Sequence, residues 1–305
     1  MKTIHLDVDL ELEKYLKEEK YSQALQNISN KNKYETVEAI TIKSLSQVNK
    51  KTLANFPKLK LIITRTVGTD HIDLNYCKQK GIAVYHIVDY GSFNIAEHVF
   101  ALLLSGTRNV VSSQKEIRGG TFSHSNYLGI ALKGKKLGVV GTGKIGLEVV
   151  RRAKGFDMEV VAYDVFKNEK AAKELGFPYI SLEELAKTSD VITLHAPLLE
   201  STKHMINKKI IGLMKEGAII INTARGGLID TKALVSQIKK FRWVGLDVLE
   251  DEEKFSKKNP LLKFDNVVIT PHIAFFSDAS VKTIAGETNV LIHNFERGDK
   301  QGRVV

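Results

Sequence analysis

Residues 137–164, LGVVGTGKIGLEVVRRAKGFDMEVVAYD, limit the possible folds more than any other part of the chain. A short β-branched apolar run ends in Gly141, Gly143 and Gly146, spaced G-x-G-x-x-G, and a helix-forming segment follows. A second apolar run, Met158 to Tyr163, ends in Asp164. In a strand–turn–helix–strand unit the first glycine permits a tight turn at positive φ. The second lets the backbone approach a pyrophosphate, and the third lets the helix close on the strand. The unpaired N–H groups of the helix N-terminus then face the phosphates. An acid about 20 residues past the glycines is placed to grip an adenosine ribose. The spacing therefore predicts a dinucleotide site. The carboxylate of Asp164 favours NAD over NADP, whose 2′-phosphate it would repel.

Strand and helix patterns alternate on both sides of this unit. Residues 3–8, 37–42, 59–64 and 82–86 read as strands, and 10–28 and 45–56 as helices, the latter stopped before Pro57. A loop, RTVGTDHIDL, opens a further helix that Gly81 ends. Residues 93–108 are apolar on most faces, which predicts a helix buried between domains or subunits. Residues 119–136 read as a surface connector. Beyond Asp164 comes a polar helix, then Ser181 with Glu184 three residues on, a capping box. Strands follow at 191–194, 217–222, 243–248 and 267–270, with Asp230 and Ser277 as helix caps. A chain of 305 residues is long enough for two domains. The alternation predicts an α/β fold of doubly wound parallel sheets.

Hydrophobic content of 43% with 26% charged residues fits a soluble globular protein. No apolar run approaches the roughly 20 residues that span a bilayer. The opening MKTIHLDVDLELEKY is too charged for a signal peptide. The single cysteine, Cys77, excludes an intrachain disulfide and suits a reducing cytoplasm, the expected location. The net charge of +10 comes from dispersed lysines without aromatic interleaving, which points to a solvated surface and away from nucleic acid. A positive field of this kind also draws in NAD and a carboxylate substrate.

Arg225, Asp247, Glu252 and His272 fall at or just beyond the carboxyl ends of expected strands, the edge where open α/β sheets bind ligands. Hydride transfer from a hydroxy acid needs a base for the hydroxyl proton, a cation for the carboxylate, and a cofactor for the electrons. Histidine is the natural base near neutral pH. Arginine supplies a permanent bidentate clamp. A carboxylate beside the histidine favours its imidazolium form.

With these motifs the chain resembles the D-isomer-specific 2-hydroxyacid dehydrogenases. The matching segments run in order from PKLKLIITRTVGTDHIDL through NIAEH, LGVVGTGKIG, YD, TLHAPL, INTARGGLID and GLDVLEDE to NVVITPHIAFF. The EDE segment and the aromatic pair after PHIA look most like the D-lactate dehydrogenase branch. The resemblance implies Arg225, Glu252 and His272 as catalytic residues: the carboxylate and carbonyl clamp, the acid paired with the histidine, and the acid/base. It implies a cofactor set of Gly141, Gly143 and Gly146, Lys144 and Ile145 at the pyrophosphate, and Asp164 at the ribose. His195, Ala196 and Pro197 would line the adenosine side, Thr223 the nicotinamide side with Ala224 beside it, and Asp247 would bind the carboxamide. Val67 and Gly68 would offer N–H groups to the substrate carboxylate, with Tyr90 and Phe275 as pocket walls. No metal is expected.

The architecture it implies is a Rossmann NAD-binding domain, residues 93–276, inserted into a smaller flavodoxin-like substrate domain, residues 1–92 and 277–305. A homodimer through the NAD-binding domain would follow. The implied reaction is reversible hydride transfer between NADH and a small 2-keto acid, pyruvate/D-lactate first. Glyoxylate, hydroxypyruvate or another 2-keto acid, or a non-catalytic NAD-sensing corepressor-like role, remain alternatives. Two departures stand out: Trp243 where the family usually has a small residue, and Gly91-Ser92-Phe93 in place of a proline-containing loop.

Overall fold

A computed structural model describes residues 1–28 and 33–305 and divides the chain into two compact units. One joins Met1–Gly91 to Phe276–Val305; the other is Ser92–Phe275.

The first unit runs β1 (Thr3–His5), α1 (Leu10–Glu13), β2 (Glu19–Lys20), β3 (Ala39–Ile42), α2 (Lys50–Leu53), β4 (Leu61–Thr64), α3 (Leu74–Gln79) and β5 (Ala83–His86). Its parallel sheet has the order β2-β1-β3-β4-β5, the flavodoxin-like winding. Strands AITI and LIIT are buried along their whole length, as expected of strands covered on both faces.

Two helices expected here are much shorter. The segment 10–28 holds only the one-turn α1 and a 3₁₀ turn at Leu25–Asn27, and between them the chain runs beside β1. Tyr21 N–H donates to His5 O at 2.8 Å, and Val8 N–H donates back to Tyr21 O at 3.1 Å. The end of the charged run, Glu19–Lys20, thus becomes the sheet edge. Its backbone pairs with β1, and its Lys and Glu side chains suit an edge strand. Across 45–56 helix begins only at Lys50, because Asn49 caps it reciprocally with Thr52. Before that, Ser46 is drawn into the core, where its hydroxyl donates to Asp7 at 2.5 Å and accepts from Leu25 N–H.

The second unit runs α4 (Ser92–Thr107), α5 (Val110–Arg118), β6 (Lys136–Val140), α6 (Lys144–Gly155), β7 (Glu159–Tyr163), α7 (Glu169–Leu175), α8 (Leu182–Thr188), β8 (Val191–Leu194), α9 (Lys208–Leu213), β9 (Ala218–Asn222), α10 (Thr231–Ser236), β10 (Phe241–Leu246) and β11 (Val267–Ile269). The last helix, α11 (Asp278–Arg297), belongs to the first unit and packs on α1 and β4. The tail beyond it returns antiparallel along β5, with Val304 N–H on Val84 O at 2.7 Å, and covers that edge. The second sheet is also all parallel, in the order β11-β10-β9-β8-β6-β7. Its winding reverses between β6 and β8, and in sheets of this kind ligands bind at the carboxyl ends of the strands beside such a reversal. The caps at Asp230 and Ser277 form as expected; Ser181 also caps its helix, accepting from Glu184 N–H, but without the return bond of a capping box.

Trp243 is buried in the core that α4 closes. Its indole N–H donates to Leu102 O at 3.1 Å, and its ring fills the space left by Gly106, where a Cβ would lie 2.1 Å from Trp243 Cγ. The large residue is therefore matched by a helix glycine. Gly106→Ala is expected to destabilise the protein by about 1–3 kcal/mol, the usual cost of overpacking. A thermal melt reads this as a lower Tm; an unchanged Tm would show that the indole has room to move.

Candidate active site

The glycine turn sits at the switch point. Gly141 has φ +94°, and a Cβ there would lie 2.7 Å from Ala196 N and His195 C, so the ends of β6 and β8 are in contact only because the side chain is absent. A Cβ on Gly146 would lie 2.0 Å from Gly141 O, which seats α6 hard against the strand. Gly143 caps α6 in extended conformation, and nothing approaches its Cβ position within 4 Å. The N-terminus of a 12-residue helix thus opens onto free space, as a pyrophosphate requires. Lys144 and Ile145 begin that helix.

Asp164 follows β7 and folds back on the turn. Its Oδ2 accepts from Thr142 N–H at 2.6 Å and Thr142 Oγ1 at 3.1 Å, and its Oδ1 from Phe166 N–H at 2.9 Å. Two buried polar atoms on the same sheet edge lack any partner among the described residues: His195 Nδ1, past β8, and Thr223 Oγ1, past β9. Desolvation pushes the His195 pKa down to about 3, so its ring is neutral. An open glycine cradle with unused buried donors and acceptors beside it fits a dinucleotide.

At the ends of β9, β10 and β11 the sequence-predicted residues gather. Asn222, fully buried at the end of β9, donates its amide to Arg225 O at 2.9 Å and accepts from Ala224 N–H at 3.0 Å. The next residue, Gly226, lies so close to the β10 loop that a Cβ would meet Leu249 C at 1.9 Å. That contact joins the segment carrying Arg225 to the one carrying Glu252. Glu252 Oε2 lies 2.8 Å from His272 Nδ1, with both side chains about one-third exposed. Its Oε1 accepts from Leu249 N–H at 3.1 Å. The His272 and Phe275 rings meet edge-on at 6.4 Å.

Asp247 is buried at the end of β10 and organises the His272 segment. Its carboxylate accepts from Thr270 Oγ1 at 2.5 Å, Ile273 N–H at 2.9 Å and Ala274 N–H at 2.8 Å, and His98 Nε2 stands 3.5 Å away. Burial pushes this carboxyl up, but the hydrogen bonds from His98, Thr270, Ala274 and Ile273 outweigh it and hold it below the usual carboxylate range. His272 N–H also donates to Asp247 O. His98, Thr270 and Asn222 were not expected from sequence as site residues. Each lies within or beside a quoted motif, but its role depends on strands that only the sheet order makes neighbours.

In the other unit, Val67 and Gly68 follow β4, where Val67 O accepts from His86 Nδ1 and Gly68 O from Thr66 Oγ1. Tyr90 follows β5 and is half-buried. Among the described residues no group of three or more His, Cys, Asp or Glu is arranged to hold a metal ion, and no helix is long and apolar enough to cross a membrane.

Residues 100–274 match the family described as D-isomer specific 2-hydroxyacid dehydrogenase, NAD binding domain. The fold is similar to that of a D-lactate dehydrogenase from Aquifex aeolicus, solved in complex with NAD and lactic acid. The TM-score is 0.90 and the identity 39%, with 99% of each chain covered. The glyoxylate reductase of Thermococcus litoralis is 40% identical over 251 residues, 79% of this chain and 75% of that protein. The D-3-phosphoglycerate dehydrogenase of Methanocaldococcus jannaschii is 38% identical over 276 residues, 90% of this chain. The chain spans about half the length of that relative, 52%. Sheet order, glycine cradle and family match together define a Rossmann-type nucleotide-binding protein whose cofactor is NAD. The chain belongs to the D-isomer-specific 2-hydroxyacid dehydrogenase family.

Proposed function

We propose that the protein is an NAD-dependent D-2-hydroxyacid dehydrogenase whose preferred substrate pair is pyruvate and D-lactate. The observation that carries this reading is the His272–Glu252 pair, 2.8 Å apart, on the same sheet edge as the glycine cradle. When bound, NADH supplies the hydride that reduces the keto carbon. Glu252 takes the Nδ1 side of the His272 ring, which leaves Nε2 to give a proton to the substrate oxygen on reduction and to take it back on oxidation. Arg225 is the clamp for the substrate carboxylate. Asp247 serves first as the anchor of the His272 segment, since Thr270, Ile273 and Ala274 already occupy its oxygens.

Phe275, held against the His272 ring, is the wall that keeps the substrate small. The similarity to a D-lactate dehydrogenase over nearly the whole chain supports the same choice. Homodimer formation through the second unit is part of the reading. It is supported by α5, which has no buried residue, and by the exposed Val110 and Val111 on it and Phe122 and Leu128 in the segment after it. A cytoplasmic location is the setting proposed for it.

The test is a screen of NADH oxidation across pyruvate, 2-ketobutyrate, phenylpyruvate, oxaloacetate, glyoxylate and hydroxypyruvate, with the product's configuration assigned and NADPH run in parallel. The highest kcat/KM is expected for pyruvate with NADH, giving the D-isomer. Preference for glyoxylate would move the protein toward the role of its Thermococcus litoralis relative. Preference for phenylpyruvate, or an L product, would overturn the pocket reading, and no turnover on any keto acid would favour a sensing role.

A further inference from the structure

A second histidine–glutamate pair lies next to the first. His204 Nε2 is 2.5 Å from Glu250 Oε1, and Glu250 stands two residues before Glu252. The other oxygen of Glu250 accepts from Thr231 N–H at 3.0 Å, at the start of α10. His204 N–H donates to Gly227 O at 2.8 Å, two residues past Arg225. The His204–Glu250 contact and the backbone bond of His204 therefore tie together the loop after β8, the loop that carries Arg225, the N-terminus of α10 and the loop after β10. The proton-transfer scheme uses neither residue.

Backbone conformation shows what such a tie is for. His204, Asp251 and His272 adopt φ of +51°, +53° and +54°. Residues with a Cβ enter this left-handed region only at a steric cost, and they stay there where surrounding contacts fix them. Asp251 is the hinge between the two glutamates. With Glu250 held by His204 and Thr231 on one side, and Glu252 Oε1 bonded to Leu249 N–H on the other, the turn 249–252 has one shape. That shape presents Glu252 Oε2 to His272. Burial pushes the Glu250 carboxyl up, but hydrogen bonds from Thr231 and His204 outweigh it and keep it below the usual glutamate range, so Glu250 reaches His204 and Thr231 as a carboxylate.

We propose that His204 and Glu250 are positioning residues for the reaction, a latch that holds Glu252 in register with His272. This rests on the reading of His272 and Glu252 as the proton-transfer pair. Both partners of the latch are partly exposed, so the latch adds little to global stability. A small displacement of a catalytic group is costly to rate. The latch should thus be visible in kcat and nearly invisible in Tm.

The test uses the full chain with the keto acid it turns over best. His204→Leu and Glu250→Ala are expected to lower kcat by about tenfold to a hundredfold, with Tm and the KM for NADH nearly unchanged. Glu250→Gln, which still accepts hydrogen bonds, should recover most of the loss. In a Glu252→Gln background, His204→Leu should cost nothing further, because the latch acts only through Glu252. Wild-type kcat in both His204→Leu and Glu250→Ala would overturn the proposal, as would an equal loss on the Glu252→Gln background. Where Glu250→Ala does not fold, His204→Leu still decides the matter, since it leaves Glu250 bonded to Thr231. A slow Glu252→Gln with a fast His204→Leu would remove the latch alone. A Glu252→Gln with wild-type kcat would remove the proton-transfer pair, and the latch with it.

Discussion

His272→Asn is expected to lower kcat for keto-acid reduction by about 10²–10⁴-fold, the usual contribution of a positioned general acid, while NADH binding stays near wild type. Asparagine is the informative replacement because position 272 has φ +54°, and asparagine is among the few residues that tolerate left-handed backbone. The N–H of residue 272 can still donate to Asp247 O and Thr270 O. Asp247 keeps its bonds to Thr270, Ile273 and Ala274, none of which involves the imidazole. The substitution thus removes the ring that Glu252 orients and little else. Steady-state kinetics with an NADH-fluorescence titration separate the two effects. A variant that turns over at the wild-type rate would exclude His272 as the proton donor; one that no longer binds NADH would show that the 272 segment shapes the cofactor site instead.

The second unit was far more legible in the sequence than the first, for a physical reason. Its strands KLGVV, VITL and AIIIN are buried on both faces and read as continuous apolar runs, and the glycine cradle fixes the first crossover. Its helix starts carry side-chain caps that act locally, as at Ser181 and Asp230. In the first unit, Glu19 and Lys20 form a strand because β1 offers them an edge, which is a contact no local pattern encodes. The short α2 depends on Ser46 being spent on Asp7, nearly forty residues away in sequence. Helix α9 also carries a local signal, Asn207 before KKIIGL, whose side chain accepts from Lys209 and Ile210 N–H.

The candidate site divides in the same way. Arg225, Glu252 and His272 were recognisable as chemical types at strand ends. Their supports were not, because Asn222, Thr270, His98 and the His204–Glu250 pair matter only once β8, β9, β10 and β11 stand side by side. The nucleotide cradle needed no such help. Gly141 and Gly146 are read from spacing alone, and the close approaches of 2.7 Å and 2.0 Å that they permit are the reason for the spacing.

Arg225→Lys is expected to lower kcat/KM for the keto acid by about 10²–10³-fold, the scale seen when one donor to developing transition-state charge is lost. The backbone at this position is fixed from both sides. Asn222 holds the carbonyl of Arg225 and the N–H of Ala224, and Gly226 is pressed against Leu249. A lysine would therefore start from the same place and carry the same charge. It would lack the planar fork that meets a carboxylate with two parallel hydrogen bonds and reaches the carbonyl oxygen as well. The Nη1 bond to Ala224 O at 2.8 Å also steers the guanidinium, and an ammonium cannot make that bond while presenting a second donor in the same plane. Because the lost contacts are to substrate, NADH affinity should not move, and the loss should appear in both kcat and KM. A lysine variant with near-wild-type kcat/KM would mean that charge alone suffices, and the clamp would have to be sought elsewhere on the sheet edge.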